Sequence, residues 1–120
     1  MKITTRSFAK TLFSLINENK KLLIGLSGGM DSVVLLDLCE KIIPSGKLFA
    51  IHINHGLTKE SDNHEKFVYK ICIDKNIPLI LKAEKRTIKR NESDEMWARK
   101  IRYNHYFQTL IEKNYDYVLT

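Results

Sequence analysis

The chain has 120 residues, of which 43% are apolar, and its 20 Lys and Arg residues outnumber 14 Asp and Glu residues, giving a net charge of +6. This length and composition suit one globular domain with its own core. The longest apolar runs are too short to cross a bilayer, and residues 1–20 lack the apolar segment of a secretory signal, so we expect a cytoplasmic protein that binds no membrane. The basic balance favours polyanions such as nucleic acid, although a generic Lys-rich surface explains it equally well.

The two cysteines, Cys39 and Cys72, both fall within apolar helical patterns. This placement predicts buried free thiols in a reducing compartment. Because the sequence contains no C-x-x-C motif, it indicates neither a redox pair nor a cysteine zinc site.

The first predicted elements are a helix over residues 7–19 and a buried strand over residues 22–26. Ser7 can cap the helix, and we assign the helix no chemistry. A second helix is predicted over residues 32–43; it is apolar on most faces, as expected for a helix that lies flat on a sheet. Residues 44–46, Pro-Ser-Gly, end it.

A turn of small residues joins the first strand to the second helix. Its sequence is Ser27-Gly28-Gly29-Met30-Asp31-Ser32. Adjacent glycines allow unusual backbone angles, and the N–H groups beside a helix N-terminus make a site for anions. The sequence has neither G-x-x-x-x-G-K-S/T nor G-x-G-x-x-G, which excludes the P-loop and the dinucleotide fingerprint.

The carboxylate of Asp31 stands out in a loop of this kind. It repels phosphate unless a cation lies between them, and Mg²⁺ prefers one or two carboxylates together with phosphate oxygens. The loop therefore predicts a magnesium–phosphate site with Asp31 as the metal ligand. The simpler alternative is a strand–helix turn in which Asp31 or Ser32 caps the helix.

The pattern Ser-Gly-Gly-x-Asp-Ser resembles the pyrophosphate-binding loop of the N-type ATP pyrophosphatases, the PP-loop superfamily. These enzymes split ATP between its α- and β-phosphates and adenylate a substrate oxygen. The resemblance implies that ATP and Mg²⁺ are the cofactors and that Asp31 binds the metal. The pyrophosphate is then held by the N–H groups of Gly28, Gly29 and Met30 and by the hydroxyls of Ser27 and Ser32.

A second buried strand is predicted over residues 48–53, ending in Asn-His-Gly-Leu at positions 54–57. Strand, helix and strand then form a right-handed βαβ unit, and both polar segments should converge beyond the carboxyl ends of the strands. His52 and His55 alternate to opposite faces and have no evident third ligand, which favours hydrogen bonding over a zinc site. Residues 52–57 resemble the H-x-x-H-G-L segment of lysidine synthetases, which implies that both histidines line the adenosine or cytidine side.

The middle of the chain predicts a third helix over residues 62–75, capped by Ser61, and a third strand over residues 79–81. The apolar side of this helix is predicted to carry Phe67, Val68, Ile71 and Cys72. A charged linker follows over residues 84–95, with a basic half made of Lys85, Arg86, Lys89 and Arg90. The linker is either a solvated loop or a mobile basic loop that contacts RNA phosphates.

The last helix is predicted over residues 94–113, with Glu95, Arg99 and Arg102 on one face. Its core side is predicted to carry Trp97, Ile101 and Leu110, with parts of Tyr103 and Phe107. By pattern alone, Glu95 and Arg99 form an exposed salt bridge worth only ~0.3–0.5 kcal/mol. The segment nevertheless resembles the E-x-x-A-R-x-x-R-Y signature of lysidine synthetases, which implies that an arginine assists adenylation, Arg99 as first choice and Arg102 as second.

The predicted fold is α/β and Rossmann-like: a parallel sheet with helices on both faces, of the adenine nucleotide alpha hydrolase-like kind, incomplete in this sequence. Residues 116–120 begin as a fourth strand. The resemblance implies that residues 1–120 are the N-terminal part of a PP-loop catalytic domain, inactive alone, whose later strands and tRNA-binding domains are absent.

The function implied by the resemblance is that of the tRNA(Ile)-lysidine synthetase family. Its partners are tRNA(Ile) with a CAU anticodon and free L-lysine, and a homodimer is compatible with it. Two other readings stay open, namely another adenylating member, such as a tRNA thiolase or a glutamine-dependent synthetase, and an ATP-binding module without catalysis.

Overall fold

The computed structural model describes residues 19–87 and 91–120, together with Ser14. The helix predicted over residues 7–19 lies outside the described residues except for Ser14 and Asn19. The described part contains four strands and three helices. In chain order they are β1 (Leu22–Gly25), α1 (Met30–Ile42), β2 (Leu48–Asn54), α2 (Ser61–Asp74), β3 (Leu79–Ala83), α3 (Asp94–Lys113) and β4 (Tyr117–Leu119).

The four strands form one parallel sheet in the order β3-β2-β1-β4. In its register, Leu22 pairs with Leu48 on one side and with Tyr117 on the other. The chain therefore winds outward from β1 to β3 and then returns across the sheet to place β4 on the other side of β1. The carboxyl ends of β1 and β2, where ligands of open parallel sheets bind, are central in this arrangement.

Successive side chains of β1 point to opposite faces of the sheet and pack in two separate cores. On one face, Leu22 and Ile24 pack in a cluster that includes Leu36 of α1 and Val68 of α2. On the other face, Leu23 packs in a cluster with α3 side chains, among them Ile101 and Tyr106. Helices thus cover both faces of the sheet, which confirms the predicted α/β fold.

Two aromatic side chains that the pattern places on the apolar sides of their helices are about half exposed. Phe67 is 45% exposed and Phe107 is 53% exposed. On α3 the buried aromatic is Tyr106, because β1 carries Gly25 at the contact. A β-carbon at Gly25 would lie 2.6 Å from the Cζ atom of Tyr106, so the absence of a side chain lets the ring lie against the strand. The buried face of α3 therefore includes Tyr106 and turns away from Phe107.

The helix ends are set mostly by the backbone. Ser61 is the first residue of α2 rather than its cap, and no side chain caps that helix. At α3 the Ser93 hydroxyl accepts a hydrogen bond from the Met96 N–H at 3.2 Å. Asn76 follows α2 with φ 55° and Asn114 ends α3 with φ 57°, the left-handed conformation that stops a helix.

Both cysteines are free and buried, as predicted. Burial raises the pKa of Cys39 to about 12 and that of Cys72 to about 11, so these thiols are unreactive near neutral pH. Within the described part of the chain, no helix combines the length and apolarity that a bilayer crossing requires.

Candidate functional site

The turn after β1 is braced by its own hydroxyls. The N–H of Gly28 donates to Ser32 Oγ at 3.3 Å, and the N–H of Gly29 donates to Ser27 Oγ at 3.2 Å. Ser32 Oγ in turn donates to the carbonyl of Gly29 at 2.8 Å. Neither Asp31 nor Ser32 caps α1, whose N-cap is Gly29 without a side-chain hydrogen bond. The alternative of an ordinary capped turn is therefore wrong.

The first turn of α1 carries donors without acceptors. Among the hydrogen bonds of the described residues, the N–H groups of Met30, Asp31 and Ser32 have no acceptor. The Asp31 side chain is exposed and forms no ion pair with another described residue. This helix start therefore offers N–H groups and a positive dipole end to an anion, with one carboxylate beside them.

Two histidines contact the turn, His64 from α2 and His52 from β2. Gly28 has φ +92°, and a β-carbon there would lie 2.7 Å from the β-carbon of His64. His52 is 3% exposed, and its Nδ1 atom lies 2.6 Å from the carbonyl oxygen of Leu26, the residue that precedes the turn. Burial lowers the pKa of His52, although the Leu26 hydrogen bond opposes the shift, so its imidazole is neutral. His52 is thus a brace beneath the turn.

The segment after β2 is organised by Asn54. Its amide nitrogen donates to Asp62 at 2.9 Å and to Glu65 at 3.4 Å, both on α2. Its amide oxygen accepts from the N–H of Gly56 at 3.0 Å. His55, the next residue, accepts at Nδ1 from the N–H of Leu57 at 3.2 Å. One side chain therefore fixes the strand end, the start of α2 and the turn that carries His55.

A cleft of about 470 Å³ lies between this turn and α3. Its lining residues are His55, Leu57 and Thr58 from the turn and Asp94, Glu95, Ala98, Arg99 and Arg102 from α3. Neither arginine forms an ion pair with another described residue, so the surface salt bridge between Glu95 and Arg99 is absent from this part of the chain. The Arg99 guanidinium lies 5.2 Å from the centre of the Tyr103 ring. The cleft thus presents two guanidinium groups without an ion-pair partner among the described residues, beside the carboxylates of Asp94 and Glu95.

The structure brings His55, Arg99 and Arg102 together and places the turn of residues 27–32 beside His52 and His64. The turn residues do not line the cleft with the arginines. The pKa of His55 is lowered by burial first, then by Arg102, with smaller effects from His52 and His64. His55 lines the cleft with α3, whereas His52 is buried beside the turn.

Comparison with known proteins identifies the family. The PP-loop domain family matches residues 1–120. The chain belongs to the PP-loop domain family. Membership of this ATP-utilising family implies ATP binding, which agrees with the sequence analysis of the turn.

Several curated relatives of this PP-loop chain are tRNA(Ile)-lysidine synthases. The one from Legionella pneumophila strain Paris is 39% identical over 100 residues, covering 82% of this chain and 22% of the relative. The one from Actinobacillus pleuropneumoniae serotype 3 is 42% identical over 84 residues, covering 70% of this chain and 19% of the relative. The one from Petrotoga mobilis is 31% identical over 126 residues, covering 96% and 40%. The chain thus spans less than half the length of these relatives.

Solved structures agree on the fold of this PP-loop chain. A U34-tRNA thiolase, NcsA, from Methanococcus maripaludis matches with a TM-score of 0.72 and 22% identity, covering 95% of this chain and 45% of that chain. An NH3-dependent NAD synthetase from Campylobacter jejuni matches with a TM-score of 0.67 and 17% identity, covering 97% and 56%. At these identities the likeness shows the fold alone.

The basic linker of the PP-loop chain differs from its sequence prediction. The Arg86 side chain is only 3% exposed and pairs with Asp94 at 2.9 Å. It also donates to the Glu92 carbonyl at 2.9 Å and lies 5.9 Å from the centre of the Trp97 ring. Arg86 therefore holds the linker onto the start of α3, so neither a solvated loop nor a mobile basic loop describes this residue. Lys85 is exposed, while Lys89 and Arg90 lie outside the described residues.

Sequence reasoning missed His64, Asn54 and Tyr106. His64 packs on Gly28 only because α2 crosses the turn, and no local pattern signals that contact. The sequence did indicate Asn54, since it lies between the two histidines of the H-x-x-H-G-L segment. It also indicated Tyr106, since a glycine in a buried strand often marks the close approach of another group.

The fit of the residues to Mg²⁺ rests on Asp31 alone. Within residues 19–87 and 91–120, no group of three or more His, Cys, Asp or Glu side chains could hold a metal ion. Mg²⁺ usually takes one or two carboxylates and completes its shell with waters and phosphate oxygens. An exposed and unpaired Asp31 beside a phosphate-sized set of N–H donors fits that mode.

Proposed function

We propose that this chain is the N-terminal part of the catalytic domain of a tRNA(Ile)-lysidine synthetase. In the proposed reaction, ATP adenylates the C2 oxygen of the wobble cytidine in the CAU anticodon, and pyrophosphate leaves. The ε-amine of free L-lysine then attacks C2 and AMP departs. The product, lysidine, pairs with A rather than G, so the tRNA decodes isoleucine.

One observation carries this proposal: the two segments that resemble lysidine synthetases form the opposite walls of one cleft. His55 and Leu57 come from the first segment, and Glu95, Arg99 and Arg102 come from the second. Nearly forty residues of chain separate the two segments, so their meeting is a consequence of the fold rather than of local sequence. The curated relatives, which are tRNA(Ile)-lysidine synthases, support the same member of the family.

The turn of residues 27–32 is proposed to hold the pyrophosphate part of ATP. The Gly28 and Gly29 N–H groups now donate to serine hydroxyls over 3.3 and 3.2 Å. A phosphate oxygen is a stronger acceptor because it is charged, so exchange of partners favours binding. Asp31 is the residue that would hold Mg²⁺, which supplies charge neutralisation at the phosphates when bound.

Arg99 is proposed to balance the negative charge that develops during transfer, with Arg102 as its second. Neither guanidinium is paired within the described part of the chain, so no ion pair has to break before it acts. Phosphoryl chemistry of this kind depends mainly on positioning and on electrostatic stabilisation. The net charge of +6 suits a tRNA partner. A cytoplasmic location and a homodimer remain part of the proposal.

The test is ATP–pyrophosphate exchange dependent on tRNA(Ile) in the full-length protein. Replacing Asp31 with Ala should reduce exchange at least about a hundredfold, because the metal-held charge neutralisation is lost. Asp37→Ala is the matched control, since Asp37 lies on the same helix but pairs with Lys75 at 2.7 Å. Near-normal exchange by the Asp31→Ala protein would refute the metal role.

The competing family members make different predictions. A thiolase needs reactive cysteines, whereas both cysteines of the chain are buried and have raised pKa values. A non-catalytic module would bind ATP in the full-length protein without any exchange. Mass spectrometry of the tRNA product separates the remaining readings, because lysidine formation adds the mass of lysine to the cytidine with loss of water.

A further inference from the structure

His52 and His55 use the same ring nitrogen in opposite ways. Nδ1 of His52 lies 2.6 Å from the carbonyl oxygen of Leu26, which can only accept, so this Nδ1 carries the proton. Nδ1 of His55 receives the N–H of Leu57 at 3.2 Å, so this Nδ1 has no proton. In neutral imidazole the proton of His55 is therefore on Nε2. Three residues apart, the two rings have opposite tautomers.

The tautomer of His55 is imposed by the turn that carries it. Gly56 has φ +63°, a backbone conformation that residues other than glycine rarely adopt. Its N–H donates a hydrogen bond to the Asn54 amide oxygen. Asn54 is itself anchored to Asp62 and Glu65 of α2. This arrangement returns the Leu57 N–H to the His55 ring, so Asn54 acts on His55 through the backbone.

The surroundings of His55 favour the neutral ring. Burial and the Arg102 guanidinium lower the pKa of His55, and His52 and His64 contribute smaller effects of the same sign. The other charged groups of its cleft are Asp94, Glu95 and Arg99 from α3. A neutral ring with its Nδ1 occupied cannot accept a proton at that atom, so it is unsuited to general-base work there.

We propose that His55 is a catalytic residue that donates a hydrogen bond from Nε2–H to a phosphate oxygen in the cleft, and that Asn54 is the positioning residue that sets its tautomer. A phosphate oxygen is the acceptor we propose because Arg99 and Arg102 of the same cleft also only donate, while the Asp94 carboxylate is paired with Arg86 and no hydrogen bond joins Glu95 to His55 among the described residues. The phosphate belongs either to ATP or to the RNA backbone. This inference rests on the proposed function for the identity of the ligand but not for the tautomer.

The tautomers can be read directly by two-bond ¹H–¹⁵N correlation of the full-length protein labelled at histidine nitrogen. We expect an Nδ1–H pattern for His52 and an Nε2–H pattern for His55. Replacing Asn54 with Ala should convert His55 to a mixture of tautomers and leave His52 unchanged. Asn63→Ala is the matched control, because the Asn63 side-chain amide donates to Glu60 at 3.2 Å on the exposed surface. An Nδ1–H pattern for His55 in the parent protein would overturn the inference.

The ligand is tested with two probes, a non-hydrolysable ATP analogue and a CAU anticodon stem-loop RNA. A downfield shift of the His55 Nε2–H proton with either probe supports the donor role and names the source of the phosphate, and no shift with either overturns it. His55→Gln, which keeps a donor, should retain exchange within about tenfold, whereas His55→Phe should lose about a hundredfold. Equal activity of the Phe variant and the parent overturns the donor role. Absence of exchange in the parent protein would instead reject the proposed function and leave the tautomer result intact.

Discussion

The turn of residues 27–32 and the cleft of α3 lie at the same edge of the sheet, yet they are built differently. The turn satisfies Gly28 and Gly29 with serine hydroxyls from within six residues of sequence. The cleft joins His55 to Arg99 and Arg102, and these arginines have no ionic partner in the described part of the chain. The hydroxyl hydrogen bonds of the turn are local in sequence, although His52 and His64 contact it from other elements, whereas the cleft exists only when α3 packs across the sheet.

The difference between the two regions predicts that the arginine cleft contributes to turnover more than to ATP binding. Arg99→Ala should lower kcat about a hundredfold, because a charge that stabilises the transition state is lost. The Kd for ATP should change by less than about threefold, since the turn supplies most phosphate contacts in the proposal. Single-turnover adenylation and equilibrium ATP binding by the full-length protein measure the two quantities.

Lys100→Ala is the control for the Arg99 substitution. Lys100 follows Arg99 on the same helix, but it is exposed and pairs with Glu92 at 2.6 Å. We expect this variant to keep the parent kcat. An unchanged kcat in the Arg99→Ala protein would reduce Arg99 to a surface residue and remove the functional contrast between the regions.

The turn, in contrast, should be sensitive in its backbone. Gly28→Ala puts a β-carbon at φ +92° and 2.7 Å from His64, which should destabilise the fold by ~1–3 kcal/mol. Gly29→Ala meets only Ser27 Oγ at 3.5 Å and should cost less than about 1 kcal/mol. Urea unfolding of the two variants gives the comparison. Equal losses would show that His64 does not restrict the turn.

The extent of sequence prediction follows the same division. The turn, the four strands and the two-sided helical cover follow from apolar periodicity and from turn residues. The face of Arg99 and Arg102 follows from helical spacing, because both lie three residues apart on one helix. Periodicity cannot show which long-range contact each side chain makes. Phe107 and Tyr106 are adjacent, and the close approach that Gly25 permits lets Tyr106 lie in the core.

Arg86 shows the same limit for charge. A charge-dense linker predicts solvated side chains, and composition cannot reveal that one guanidinium of the linker lies over Trp97 and against Asp94. The buried position is set by the start of α3, which belongs to another element. Conversely, His52 was correctly expected to form hydrogen bonds, but its partner Leu26 is 26 residues away and becomes a neighbour only through strand pairing.

The smallest expected effect is the pH dependence of the stability that His52 contributes. Burial lowers the pKa of His52 from its ordinary 6.5, so below pH 6.5 the unfolded chain takes up a proton before the folded one does. The stability that depends on neutral His52 is thus complete above pH 6.5 and is lost as the pH falls toward its folded pKa. His52→Gln can keep a donor to Leu26 without titrating in this range. Urea unfolding at pH 7 and pH 5 should show a smaller loss of stability for this variant than for the parent. The loss that remains in the variant includes a contribution from His55, because the pKa of His55 is also lowered. Equal losses in both proteins would mean that His52 titrates alike in the folded and unfolded chains, which is incompatible with a buried neutral brace beneath the turn.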